Sequence, residues 1–144
     1  GLRGGKQRYL VVKIKDESPM IYNMNGIDKQ QTIYVTEGAL DSLFLPNAVA
    51  VGNSNLKLAL SHLPIENTVL VYDNEPRNKE IVREMKDAID AGASICIWPK
   101  SYGEKDINEM ILAGKPQDEI LDTINKNTFR GAQALLEFNI WRMR

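Results

Sequence analysis

Two residue types are almost missing from these 144 residues: there is one cysteine, Cys96, and one histidine, His62. A disulfide within the chain is therefore impossible, and a zinc site of the usual cysteine and histidine type cannot be assembled from it. No apolar run approaches the ~20 residues that a membrane-spanning helix needs, and residues 1–5 lack the pattern of a secretory leader. A cytoplasmic setting without membrane contact is the expectation for such a chain. Disorder is excluded as well, because 43% of the residues are hydrophobic and 26% charged, an ordinary globular balance. The first residue is Gly1 rather than methionine, which suggests a piece of a longer protein or a processed one.

Net charge is also scant, −1 at pH 7, but the sum conceals an asymmetry. Residues 1–30 carry six basic side chains against three acidic ones, whereas residues 31–114 carry seven against twelve. Residues 115–144 are nearly balanced, five against four. The expected organisation is a basic, β-rich lead-in over 1–30, an acidic core over 31–114 and a helical extension over 115–144. Any single charge reads most simply as solvated surface. Taken together, the lead-in suits a polyanion and the acidic middle suits a cation.

Four short runs in the middle are nearly continuous in apolar and β-forming residues: Thr32-Ile33-Tyr34-Val35, Ala48-Val49-Ala50-Val51, Thr68-Val69-Leu70-Val71-Tyr72 and Ser94-Ile95-Cys96-Ile97-Trp98. Such runs suit strands buried on both faces of a parallel sheet. Helical spacing separates them. Residues 38–45 place Ala39, Leu40, Leu43 and Phe44 on one face, and Pro46 stops the helix. A second helix covers 56–63, with Asn53 or Ser54 as its cap. The third, 78–91, has an apolar stripe of Ile81, Met85, Ala88 and Ile89, with Arg83/Asp87 and Lys86/Asp90 four apart outside. Gly92 closes it. Alternating strands and helices with right-handed crossovers give a doubly wound α/β core with four parallel strands. Ahead of it, residues 8–15 read as a strand that Met20-Ile21-Tyr22 can pair with. Behind it, 117–124 reads as a helix, and Thr128 caps a longer one carrying Ala132, Leu135, Leu136 and Ile140.

Active sites in parallel α/β sheets lie beyond the carboxyl ends of the strands. Glu37 falls just past the first run, Asp73 and Glu75 just past the third, and Asp106 past the fourth after a loop. Each acid alone reads more simply as the cap of a following helix. Three acidic positions on one edge need a compensating cation. Magnesium prefers a few carboxylates and leaves room for phosphate oxygens.

The ordered set Glu-Gly-Ala-Leu-Asp-Ser-Leu (37–43), Asp-Asn-Glu (73–75) and Lys-Asp-Ile-Asn-Glu (105–109) resembles the Toprim domain, and the form of its first and last motifs resembles primases of the phage type. The motifs span about half of the chain. The resemblance implies a Rossmann-like fold in which Glu37 acts as general acid/base or positions metal. It implies that Asp73, Glu75 and Asp106 bind magnesium or manganese, and that Asp41, Lys105 and Asn108 support the site. Two departures stand out: Glu75 replaces the usual second aspartate, and Pro76-Arg77-Asn78 stands where many relatives have a small residue and glycine.

The expected activity is metal-dependent synthesis of short RNA primers on single-stranded DNA from ribonucleoside triphosphates, beside a replicative hexameric helicase and a single-stranded DNA-binding protein. Arg3, Lys6, Arg8, Lys13 and Lys15 are expected to hold the template backbone. Two other readings stay open: a Toprim nuclease that hydrolyses DNA with the same acids, and a module that only binds DNA or a partner. His62 reads as a capping or surface residue, Cys96 as core, and Trp98 and Trp141 as packing rather than base stacking.

Overall fold

The structure is a computed structural model and describes residues 11–13, 20–52 and 55–144, with side chains from Ile21 onward. Seven strands build one sheet: β1 (Val11–Lys13), β2 (Met20–Tyr22), β3 (Ile33–Thr36), β4 (Ala48–Val51), β5 (Thr68–Val71), β6 (Ser94–Cys96) and β7 (Thr128–Phe129), in the order β1-β2-β4-β3-β5-β6-β7. The four apolar runs form its centre and are parallel, with Thr36 opposite both Ala50 and Val71 and Leu70 opposite Ile95. The sheet is thus larger than four strands. β2 pairs antiparallel with β4, and β7 antiparallel with β6. These short antiparallel strands cover the outer hydrogen-bonding groups of the parallel centre, which would otherwise be open edges.

Continuous apolar runs are needed because both faces of the sheet are covered. Alternate residues of each strand enter opposite cores. Ile33, Val35, Leu70 and Ile95 meet α2 (Lys79–Asp90) and α5 (Gly131–Trp141) through Met85, Ala88, Phe138 and Trp141. Tyr34, Val69, Val71 and Cys96 meet α3 (Ile107–Leu112) and α4 (Gln117–Lys126) through Met110, Ile120 and Ile124. The stripe on α2 is buried as its spacing requires. Its Asn78 side chain accepts from the N–H groups of Glu80 and Ile81, and Gly92 leaves the helix at φ +88°. Lys86 pairs with Asp90 at 2.9 Å, while Arg83 and Asp87 form no ion pair.

Local structure departs from expectation in five places. The helix after β3 is α-helical only over α1 (Ala39–Ser42), and Leu40 and Leu43 are 60% and 48% exposed. Ser42 turns its hydroxyl back onto the Ala39 carbonyl, a local bond that competes with helix propagation. Residues Leu56–Ser61 form a 3-10 helix capped by Asn55, whose side chain accepts from Lys57 N–H; Asn53 and Ser54 lie outside the described residues. α3 is an additional helix, too short for its spacing to announce. Thr128 caps nothing: its backbone pairs with Cys96 in β7, and its hydroxyl donates to the Ile124 carbonyl. In α5 the buried stripe is Ala134, Phe138 and Trp141, leaving Leu136 and Ile140 over half exposed. The helix is apolar on more than one side, and the side with the two rings removes the most surface from water. Among the described residues no helix is long and apolar enough to cross a membrane.

Candidate functional site

Parallel strands deliver their carboxyl ends to one edge, and that edge is where the acids gather. Asp73 lies two residues beyond β5, Asp41 in the first turn of α1 beyond β3, and Asp106 at the N-cap of α3 beyond β6. Each offers one carboxylate oxygen to a group whose members lie within 4.8 Å of one another. Capping and clustering are not exclusive here. Asp106 Oδ1 accepts from Glu109 N–H at 2.9 Å, and Asp41 Oδ1 accepts from Asn108 N–H at 2.9 Å. Asn108 therefore acts on the trio through its backbone, tying α1 to the start of α3.

Glu37 and Glu75 stand outside the trio and line a neighbouring cleft of about 360 Å³ together with Asp73, Glu80 and Glu84. So many carboxylates distort one another's titration. Burial, then the charges of Glu37, Asp41, Asp106 and Glu75, push the Asp73 carboxyl up to about 7. Asp41 is raised to about 6 by burial, against the hydrogen bond from Asn108, with Asp106 and Glu37 raising it further. Glu37 is raised too, by burial first and then by Glu75 and Glu80. The charge of Lys105 opposes the rise at both Asp41 and Glu37. Carboxylates raised this far are short of positive charge, and three hard oxygen donors at this spacing suit a divalent cation rather than a soft metal.

Asn74, the middle residue of Asp-Asn-Glu, is the site residue that sequence reasoning missed. It is 9% exposed, and its Nδ2 donates to the carbonyls of Tyr102 at 2.8 Å and Glu104 at 3.1 Å. Its backbone N–H donates to the Lys105 carbonyl at 2.6 Å, and its Oδ1 accepts from Trp141 Nε1 at 2.9 Å. The segment that carries Asp73 is thus bolted to the loop that carries Asp106. Nothing in the spacing marks these partners, because they lie 28 to 67 residues away.

Gly38 explains the glycine of the first motif. A Cβ on it would stand 3.0 Å from Asp41 Oδ2, a contact only tolerated if the carboxylate gives way. Gly38→Ala is therefore expected to weaken binding of Mn²⁺ by roughly tenfold, since displaced supporting geometry typically costs 10- to 100-fold in metal affinity. Titration of the two proteins with Mn²⁺ checks it; equal affinities would detach Asp41 from the site.

Of the basic lead-in, Arg3, Lys6, Arg8 and Lys15 lie outside the described residues, and only the backbone of Lys13 in β1 is described. Cys96, Trp98 and Trp141 are buried, and His62 is exposed at the end of the 3-10 helix.

Comparison with known proteins adds two likenesses. Over 136 residues the chain is 32% identical to the DNA primase of Enterobacteria phage T4, which covers 92% of this chain and 39% of that protein. The chain thus spans well under half of the length of its relative. The fold is similar to that in a solved structure of the bacteriophage T7 lagging-strand DNA polymerase interacting with primase domains of two gp4 subunits bound to an RNA/DNA hybrid and dTTP. That match has a TM-score of 0.55 at 21% identity and covers 81% of this chain and 63% of the other. No family model matches the chain. In sequence and in fold the chain is similar to phage-type DNA primases.

Proposed function

We propose that this chain is the catalytic part of a phage-type DNA primase, joining ribonucleotides into a short RNA on a single-stranded DNA template. The observation that carries the reading is the trio of Asp41, Asp73 and Asp106, three carboxylate oxygens within 4.8 Å of one another at the carboxyl edge of a parallel sheet. The likeness to the T4 primase, whose length it covers only in part, supports it.

In the reaction the 3′-hydroxyl of the growing primer attacks the α-phosphate of an incoming nucleotide. A P–O bond to the new oxygen forms, the bond to the bridging oxygen breaks, and pyrophosphate leaves. Asp41, Asp73 and Asp106 would hold a divalent cation, Mg²⁺ or Mn²⁺. Bound there, such an ion neutralises phosphate oxygens. Glu37, whose carboxyl is raised from its ordinary value, would accept the hydroxyl proton, and Glu75 would add charge beside it. Asn108 and Lys105 orient and balance the trio. The basic residues Arg3, Lys6, Arg8, Lys13 and Lys15 would hold template phosphates. Work in a primosome with a hexameric helicase and a single-stranded DNA-binding protein, in the cytoplasm of the host cell, belongs to the same reading.

Incubation with single-stranded DNA, ribonucleoside triphosphates and Mg²⁺ tests it. Short RNA that disappears when the metal is chelated is expected. Shortening of labelled DNA without any RNA would mark a nuclease that uses water as the attacker.

A further inference from the structure

The acidic edge needs a place nearby for the phosphates it acts on, and its own charge repels them. Directly after Glu75 the surface changes sign. Arg77, Lys79, Arg83 and Lys86 line one side of a groove of about 800 Å³, and Arg142 and Arg144 line the other. Among the described residues Asp87 is the only acid on its wall. Lys79, Arg83 and Lys86 recur at helical spacing along α2, which puts them on one face over a length of ~10 Å. Among the described residues only Lys86 of these six forms an ion pair, with Asp90. The two arginines on the opposite side are held in place: Arg144 donates to the Trp98 carbonyl at 2.8 Å, and the Arg142 guanidinium lies 5.3 Å from the centre of the Phe138 ring.

We propose that this groove is a track for the sugar–phosphate backbone of a single nucleic-acid strand, which it grips without reading bases. Length argues for a strand rather than for a compact triphosphate. A second cavity of about 670 Å³ shares Pro76 and Arg144 with the first and runs on past Ile140 and Met143, which are 56% and 81% exposed. Cations line the start of the path, and Lys100 joins the exposed apolar side chains along the continuation. Pro76 adjoins both Glu75 and the groove, so a strand lying there is led to the metal edge. The assignment rests on the primase reading for its strand but not for its charge.

The test is binding of an oligothymidylate, read by fluorescence anisotropy over a range of salt concentrations. Replacing both Lys79→Ala and Arg83→Ala, two exposed residues, should weaken binding and lower the salt slope by roughly 0.7 for each lost contact. Lys79→Arg with Arg83→Lys should restore the slope. Lys126→Ala, which removes a cation paired with Asp122 elsewhere, should leave it unchanged. An unchanged slope in the double alanine variant overturns the track. So does a loss of ATP binding while strand binding stays intact, because the groove would then serve the nucleotide. Nucleotide joining is measured on the same preparations. Joining with an unchanged slope rejects the track and leaves the primase reading standing; a reduced slope in a chain that joins nothing keeps the track and rejects that reading.

Discussion

Asp73→Ala is expected to abolish nucleotide joining, a loss of roughly 10³-fold or more, while leaving the metal-free chain at least as stable as before. The two halves of that result have one cause. Asp73 carries a carboxyl pushed up to about 7 from an ordinary 3.8, by burial first and by four neighbouring acids after it. A raised carboxyl binds its proton more tightly in the folded chain than in the unfolded one. Its contribution to stability is therefore present at low pH and is lost as the pH climbs from about 4 to about 7, where the charged form is penalised in the folded state alone. Melting temperature in chelator should accordingly fall more steeply with pH in the wild type than in the variant over that window. Comparing the two proteins cancels the carboxylates that do not interact with Asp73, such as Glu104, which its own backbone N–H and Lys115 hold below its ordinary value. At pH 8, added Mg²⁺ should raise the melting temperature of the wild type and leave that of the variant unmoved. A variant that melts many degrees below the wild type would make Asp73 a structural residue.

Asn74→Ala should do the opposite, with a large fall in stability. The substitution strands three partners at once: the carbonyls of Tyr102 and Glu104 and the indole N–H of the fully buried Trp141. A buried polar group left without a partner costs about 1–3 kcal/mol. With Glu104 partly exposed, a total of about 3 kcal/mol follows, or a drop in melting temperature on the order of 10 °C for a domain of this size. Asn74→Asp keeps the acceptor for Trp141 but loses both donors and sets a further acid beside Asp73, so it should not rescue. Calorimetry of the three proteins decides the matter. If both variants melt with the wild type, the amide does not fasten the two halves of the edge.

Much of this architecture was legible because it is written in local pattern. Runs such as Val69-Leu70-Val71 are apolar at every position since both faces of the central strands are covered, and α2 announces itself through its stripe and Gly92. What escaped depends on distant partners. β7 is two residues long and exists only because β6 has an edge to cover. α3 has six residues and one visible turn of pattern, Ile107 and Met110. Which side of α5 faces inward is set by the size of Phe138 and Trp141, and not by the count of apolar positions. At the site, strand ends placed Asp73 and Asp106 on a common edge. The entry of Asp41 into the trio, ahead of Glu37 and Glu75, hangs on how tightly α1 turns back after Gly38, which is a matter of three-dimensional closure.

Both tryptophans of the chain hold hands with the residues that flank Asp73: the Trp98 indole donates to the Tyr72 carbonyl at 3.1 Å, and the Trp141 indole donates to Asn74 Oδ1 at 2.9 Å. An indole's emission is sensitive to the field across its ring and to the strength of its N–H bond. All of the tryptophan light from these 144 residues therefore originates on either side of one ionisable carboxyl. The molecule carries its own optical gauge: proton or cation uptake at the acidic edge should be readable as a spectral shift of the unlabelled chain, with no dye to perturb it.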